Sequence, residues 1–401
     1  MKTIFCLASF FKGEEFLRSA KREGNRVFLL TSENLKQKSW PKDSVDEFFY
    51  MLQNAEGDWN GQDMVDGFAF LSRTHQIDAI VALDDFDVER AALLREEFRI
   101  PGMGQTTARL FRDKLAMRIQ AGDQGIPVPD FTALFNDVQI NEFLDRTSPP
   151  WMIKPRGEAS AIGIYKVHTK DEFWQKVHDL GELRPQYLGE CFLEGDVYHV
   201  DALSFQGKIV FHSASQYLDT PFKVAHGGGI FRSITLTPQS TEAKALLKVT
   251  TKLMVTFGMQ NSASHSEFLK NKADGKFYLI ETSSRVGGAH LADMVEASTG
   301  VNLWREWARM ESAVINKIPY LVSPSGFRHA GIVITLSKYK DTDSSFLNHP
   351  SIVWRLDKEH HVGFIAVTDT RDELLQVVNH YTEIIQRDYS ATVPIRNKAQ
   401  H

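Results

Sequence analysis

The segment His265–Arg285 constrains this chain more than any other. Two apolar runs, Glu267–Leu269 and Phe277–Ile280, flank a turn carrying Asp274-Gly275, the pattern of a β-hairpin. With a three-residue loop, Ala273–Gly275, and Gly275 supplying a positive φ, Lys272 closes on Lys276 and Glu267 falls opposite Glu281. A two-residue loop instead puts the glutamates on opposite faces, and the segment is then a solvated hairpin with scattered charges. Like charges facing across a ladder destabilise it unless something offsets them. A divalent cation would do so, and hard carboxylate oxygens suit Mg²⁺. Ser283 and Arg285 follow at period two, on the same face if the strand continues. That face then carries two carboxylates, a hydroxyl and a guanidinium, a set suited to metal and phosphate.

The 401 residues allow two or three domains, and 42% hydrophobic with 24% charged residues is a soluble globular composition. The formal net charge of −5 and the lack of a polybasic run speak against nucleic-acid and membrane partners. Two cysteines, Cys6 and Cys191, build neither a disulfide framework nor a cysteine zinc site, so a cytoplasmic setting is expected. The N-terminal run Met1–Phe11 is short and lacks a convincing cleavage site, and reads as a first buried strand.

Strands over Thr3–Ala8, Val27–Thr31 and Ile77–Leu83, with a helix over Glu14–Glu23, predict a parallel sheet covered by helices. No G-x-G-x-x-G follows the first strand, so this Rossmann-like unit is not expected to bind NAD. One helix is predicted over Thr106–Ala121, then an extended linker at Ile126-Pro-Val-Pro129. From about residue 130 the pattern becomes α+β, with a helix near Leu291–Glu311. Strands near Gly331–Thr335 and Val362–Val367 and a helix near Arg371–Gln386 follow.

Trp151-Met-Ile-Lys154-Pro155 reads as a buried strand ending in lysine. After it, Gly157, Ala159, Ser160, Ala161 and Gly163 form a small-residue loop whose backbone N–H groups can approach phosphate oxygens. The loop is not a Walker A motif, since no Gly-Lys-Ser/Thr opens a helix; taken alone it is more often a flexible hairpin, and the lysine on the strand entering it is what brings the phosphate reading level. Lys114 by itself reads as a surface lysine, and Glu190 as a surface carboxylate.

The order Asp113-Lys114, Ile153-Lys154-Pro155, Glu190-Cys-Phe-Leu-Glu-Gly195, Glu267 and Glu281-x-Ser-x-Arg285 is more specific than any member. Over residues 1–310 it resembles the ATP-grasp superfamily, in the biotin-carboxylase-like and L-amino-acid ligase branch. The resemblance implies a Rossmann-like N-terminal (pre-ATP-grasp) domain, 1–110. A small lid subdomain with its linking helix follows at 111–189, a large subdomain with the metal site at 190–315, and a C-terminal α+β segment at 316–401. It implies that Lys114 and Lys154 contact ATP phosphates under the 157–163 loop, and that Glu190 with the backbone of Phe192 and Leu193 holds adenine. Glu267 and Glu281 would hold Mg²⁺, or Mn²⁺, and Arg285 would stabilise the transferred phosphoryl or bind the substrate carboxylate. Relatives in this family often dimerise through their N- and C-terminal segments, so a homodimer is an open expectation.

The chain departs from the family pattern at two places. Ser283 stands where an Asn metal ligand is usual, and Val197 where a ribose-binding Glu is common, which leaves Asp196 as the ribose candidate. On the substrate side, Lys223–Arg232 offers His226, Gly227 and Arg232 as a mobile loop with a base or carboxylate binder; the alternative is a surface turn. Gly287, Gly288 and Ala289 are placed to line an acyl pocket. Asp84 and Asp85 lie at a strand's C-terminal end, as ammonium binders or as helix-capping acids. His199 and Asp201 read as a polar pair. The resemblance implies ATP-dependent formation of an amide between a small carboxylate and an amine through an acylphosphate. Carboxy-phosphate chemistry and a non-catalytic ATP-binding protein are the alternatives.

Overall fold

The computed structural model describes residues 1–55, 57–158 and 163–391, apart from the side chains of His226 and Gly227. Its strands form three sheets. The first comprises β1 (Thr3–Ala8), β2 (Arg26–Ser32), β3 (Glu47–Met51) and β4 (Ala79–Ala82), in the order β3-β2-β1-β4 and all parallel. β1 is buried along its whole length because both of its faces are covered. Ile4, Cys6 and Ala8 pack on one side with Phe16, Leu17 and Trp307, and Phe5 and Leu7 on the other with Phe28, Phe68 and Ala91.

The second sheet, β5 (Phe131–Ala133), β6 (Trp151–Pro155), β7 (Tyr165–Val167) and β8 (Tyr187–Cys191), runs β5-β8-β6-β7 and is antiparallel. Phe143 and Phe173, from helices Asp137–Arg146 and Lys170–Leu180, close its core over Trp151.

The third sheet takes β9 (Gly195–Phe205), β10 (Lys208–Tyr217), β11 (Phe231–Thr235), β12 (Ser262–Asn271), β13 (Phe277–Ser283), β14 (His329–Leu336), β15 (Ile352–Arg355) and β16 (His361–Thr368). Their order is β13-β12-β9-β10-β11-β14-β16-β15. The C-terminal strands therefore extend the sheet that carries the hairpin, β14 pairing with β11.

Two predicted helices are each divided. The stretch predicted as Thr106–Ala121 is Gln105–Leu110 and Lys114–Asp123, because the Asp113 side chain accepts from Leu115 N (3.0 Å) and Ala116 N (3.4 Å) and caps a new helix. The stretch predicted as Leu291–Glu311 is Leu291–Thr299 and Leu303–Asn316. Gly300, at φ 81°, ends the first, and Asn302 caps the second. Among the described residues, no helix is long and apolar enough to cross a membrane.

Candidate active site

Glu267 on β12 and Glu281 on β13 lie directly opposite one another, but the turn that brings them there differs from the expected one. Asn271, not Lys272, closes on Lys276: its N–H donates to Lys276 O at 2.9 Å, and Gly275 N–H donates to Asn271 O at 2.8 Å. Continued regularly, that closure would set Glu267 against Ile280. A bulge at Ile280 supplies the extra residue, so that Phe268 pairs with Leu279 and Glu267 with Glu281. Leu279 and Glu281 consequently leave the strand in different directions, although two residues apart. Leu279 is fully buried in the core, while Glu281 stays partly exposed. The bulged Ile280 carbonyl accepts from Arg118 Nη2 at 2.8 Å.

Lys114 and Arg118 occupy one face of the helix Lys114–Asp123, four residues apart. Lys114 Nζ lies 3.1 Å from Glu281 Oε1 and donates to Glu158 O at 2.6 Å. An ammonium thus stands where the two facing acids need positive charge. Arg118 is fully buried; its Nε donates to Glu190 Oε2 at 3.1 Å, and its Nη1 has no partner among the described residues. Lys154, on the same face of β6 as Met152, reaches across to Glu190, which pairs with Met152 on β8, and bonds its Oε1. Burial opposes the Glu190 charge, but Lys154 and Arg118 outweigh it and hold the carboxyl below the usual carboxylate range.

Glu190 is therefore the anion of a buried three-member cluster. The expectation that Glu190, with the backbone of Phe192 and Leu193, holds adenine meets a carboxylate already bound to two cations. Phe192 N–H likewise already donates to Pro150 O at 3.0 Å. Phe192 and Leu193 are half-buried and Asp196 is exposed. Gly157 is exposed at the start of the small-residue loop, and Gly163 sits at its end with φ 68°. Ser160 and Ala161 lie outside the described residues.

On the facing wall, the end of β4 meets the strand after the hairpin. Asp85 is buried and accepts from Arg285 Nε at 2.7 Å, from Arg285 Nη2 and from the Ser283 hydroxyl. Burial works against its charge, but Arg285, Arg112 and Lys12 outweigh it and keep Asp85 ionised well below the usual range. Asp84 pairs with Lys12 and caps the short turn after β4, accepting from Phe86 N at 3.2 Å. Asp85 thus positions Arg285 instead of presenting a free carboxylate to an ammonium. Ser283 donates to Asp85, which leaves only its lone pairs to reach a cation.

Gly287 is needed for a close approach, since a Cβ there would lie 2.7 Å from Asp201 Oδ1 and 2.9 Å from His265 Nδ1. Gly288 is open, and Ala289 (φ 50°) and His290 (φ 57°) turn the chain into the next helix. His226 and Gly227 end the short helix Pro221–Gly227, and their side chains lie outside the described residues. Arg232 pairs with Asp219 and donates to Asn379 Oδ1 at 3.3 Å.

Behind Glu267 runs a buried chain of polar groups. Tyr217 OH donates to Glu267 Oε1 at 2.8 Å, and His265 Nε2 lies 3.4 Å from the same oxygen. His265 Nδ1 bonds Asp201 Oδ1 at 2.9 Å, and His199 bridges Asp201 Oδ2 and Ser233 Oγ at 2.8 Å each. Burial opposes a charge on His265, but Asp201 outweighs it and raises the imidazole to about 10. His199, Asp201 and His265 are close enough to surround an ion, with ligand atoms within 4.8 Å of one another. Both imidazole Nδ1 atoms already bond the two Asp201 oxygens, however, so the trio serves as a hydrogen-bond chain. Glu267 and Glu281 are the donors that fit a hard cation, being two facing carboxylates beside a lysine.

Sequence reasoning missed Arg118, Tyr217 and Lys12. Arg118 carried a readable signal, its i,i+4 spacing from Lys114. Tyr217 and Lys12 reach their partners only through the tertiary fold.

No family model matches this chain. It is 26% identical over 233 residues to the L-arginine-specific L-amino acid ligase of Bacillus subtilis, covering 57% of this chain and 56% of that protein. It is 25% identical over 204 residues to a D-alanine–D-alanine ligase of Neisseria gonorrhoeae, covering 50% of this chain and 66% of that one. The chain thus spans less than two thirds of the length of these curated relatives. Its structure resembles the crystal structure of an L-amino acid ligase from Bacillus licheniformis, with a TM-score of 0.76 at 16% identity, over 98% of this chain and 99% of that one.

Proposed function

We propose that this chain, an ATP-grasp protein by its fold and its likeness to ATP-grasp ligases, joins a carboxylate to an amine at the expense of ATP, with amino acids as the substrates. One observation carries the reading. Two facing carboxylates, Glu267 and Glu281, join one network with the buried cations Lys114, Arg118 and Lys154: Lys114 pairs with Glu281, Arg118 bonds the Ile280 carbonyl and Glu190, and Lys154 bonds Glu190; this network would line the cleft for the nucleotide. Such a set suits a polyphosphate with its divalent cation. The ligases named above supply the substrate class.

A carboxylate acylates poorly at neutral pH. Transfer of the γ-phosphoryl of ATP to a carboxylate oxygen gives an acylphosphate and ADP. The amine nitrogen then attacks the carbonyl carbon, the C–O bond to phosphate breaks, and the amine loses a proton. A divalent cation on Glu267 and Glu281 would offset charge on the phosphates when bound. Lys114 and Lys154 offset the remaining charge, so this chain contributes positioning and electrostatics. Asp85 fixes Arg285 through Nε and Nη2, and Nη1 donates to Val286 O, which leaves two of the five guanidinium N–H bonds for a phosphoryl or carboxylate oxygen. Neither cysteine need take part, and Cys6 is fully buried, with its thiol pushed upward by that burial.

The test is release of ADP and phosphate from Mg-ATP across a grid of amino acids as acid and amine, with bicarbonate controls. Turnover that needs two amino acids and yields an amide by mass supports the ligase. Turnover stimulated by bicarbonate alone overturns it in favour of carboxy-phosphate chemistry. ATP binding without turnover on any pair overturns it in favour of a non-catalytic protein.

A further inference from the structure

We infer that a second site, outside the phosphate cleft, binds a small zwitterion between Arg95 and Glu311, the ligand being a free amino acid or a short peptide carrying one ammonium and one carboxylate. A cavity of about 840 Å³ lies where β4, the loop Ile100–Gly104, residues 258–262 and the helix Leu303–Asn316 meet. None of Lys114, Lys154, Glu190, Glu267 or Glu281 lines it. Its volume falls in the range of ligand cavities, about 300–1,000 Å³, and it lies between packed units, where such cavities concentrate. Phe98, Ile100 and Trp307 are among its apolar walls, and its charged lining is Lys2, Asp78, Arg95, Arg99, Glu311 and Lys317, of which Lys2 and Asp78 pair with each other at 2.8 Å.

Two of those groups are opposite charges held apart. Arg95 donates from Nε to Ile80 O and from Nη1 to Met103 O, both at 3.1 Å. Its acceptors are neutral carbonyls, so the guanidinium is oriented without being neutralised. Glu311 accepts from Trp307 Nε1 at 3.0 Å, again a neutral partner. Among the described residues, no ion pair within 4.0 Å joins either of them to an opposite charge. Burial accordingly pushes the Glu311 carboxyl up to about 7 and the Arg95 guanidinium down to about 10, against the weaker pull each exerts on the other.

The backbone carbonyls hold the arginine and the indole holds the glutamate, so the two do not collapse onto one another. A simple cation would offset Glu311 and leave Arg95; a simple anion would do the reverse. A molecule with an ammonium at one end and a carboxylate at the other offsets both, and its side chain meets Trp307 and Phe98. The site does not depend on the ligase reading, because no group of the cleft takes part.

The Trp307 indole N–H touches Glu311 and reports occupancy directly. In the whole chain labelled with ¹⁵N at its indoles, without ATP or Mg²⁺, the Trp307 signal is assigned by loss in Trp307→Phe. It is then followed against glycine, L-alanine and L-alanyl-L-alanine, with ethylamine and acetate as half-ligands. Expected is a saturable shift with at least one zwitterion, unchanged in Glu281→Gln and weakened at least about 10-fold in both Glu311→Gln and Arg95→Met, as loss of a charge-assisted hydrogen bond entails. Thermal melts of both variants establish that they fold. No shift with any zwitterion, an equal shift with ethylamine or acetate, or loss of the shift in Glu281→Gln would each overturn the proposal. Because no turnover is measured, a failed ligase reading leaves this outcome intact.

Discussion

The cleft and the rear cavity treat buried charge in opposite ways. In the cleft, Glu190 sits between Lys154 and Arg118, and Glu281 beside Lys114, so the acids already have cations. In the cavity, Arg95 and Glu311 each face neutral partners. A ligand entering the cleft exchanges one set of ionic contacts for another, and the charges stay compensated throughout. A ligand entering the cavity supplies compensation that the protein lacks. The first arrangement favours turnover and release. The second favours holding a molecule, and it leaves a signature in the pH dependence of stability.

The comparison breaks most readily at Glu190. Replacing it with alanine leaves Lys154 and Arg118 buried without their anion, and loss of one partner from such a cluster costs about 3–5 kcal/mol. Urea unfolding of Glu190→Ala should show that loss; a change below about 1 kcal/mol would mean that water reaches the cluster. Next in size is Glu281→Gln, which keeps the shape of the hairpin but removes a charge proposed to hold the divalent cation. Turnover with Mg-ATP should fall about 10²–10³-fold, the scale of losing one electrostatic element of a transition state, with the melting midpoint preserved.

A smaller effect is expected at Tyr217, which orients Glu267 from behind. Tyr217→Phe should raise the Mg²⁺ concentration for half-maximal turnover by about 10–100-fold, as for other groups that orient metal ligands. At saturating Mg²⁺ the rate should return; if it does not, Tyr217 acts on more than the metal.

The smallest effect sharpens the cavity side. Glu311 is raised from the usual 4.5 to about 7, so the native state holds its proton more tightly than the unfolded chain does. Its effect on stability is absent below about pH 4.5, and stability is lost as the pH rises from there to about 7. The melting midpoint of the protein minus that of Glu311→Gln should decline across this window and level off above it. A flat difference would place Glu311 in contact with water.

Much of the fold is legible in local pattern. β1 is a short run buried on both faces, and its expected and observed bounds coincide at Thr3–Ala8. The opposed glutamates match the expected pairing, but they reach it through a four-residue loop offset by a bulge, not through the three-residue loop and straight ladder expected. What escapes is whatever depends on a partner far along the chain or on a single cap. Apolar spacing continues through Asp113 and Asn302, so each divided helix reads as one, and only the side-chain caps mark the breaks. Arg118 looks like a surface residue until β8 and β13 close over it. Asp85 reads as an open acid because Arg285 is 200 residues away. The C-terminal strands look like a separate segment, and only β11–β14 pairing reveals one continuous sheet.

The hairpin of β12 and β13 holds two one-residue irregularities of opposite effect: a loop one residue longer than the expected three, and a bulge at Ile280 that restores the phase. They act like a pair of compensating frameshifts. The interval between Glu267 and Glu281 therefore records only the sum of the two. A chain with a three-residue loop and a straight ladder would show the same interval, with the same acids facing, yet would have no unpaired carbonyl to offer an arginine. Spacing alone cannot separate these designs, whereas a buried basic residue on the neighbouring helix can, and Arg118 is the mark to seek in other chains that share the motif.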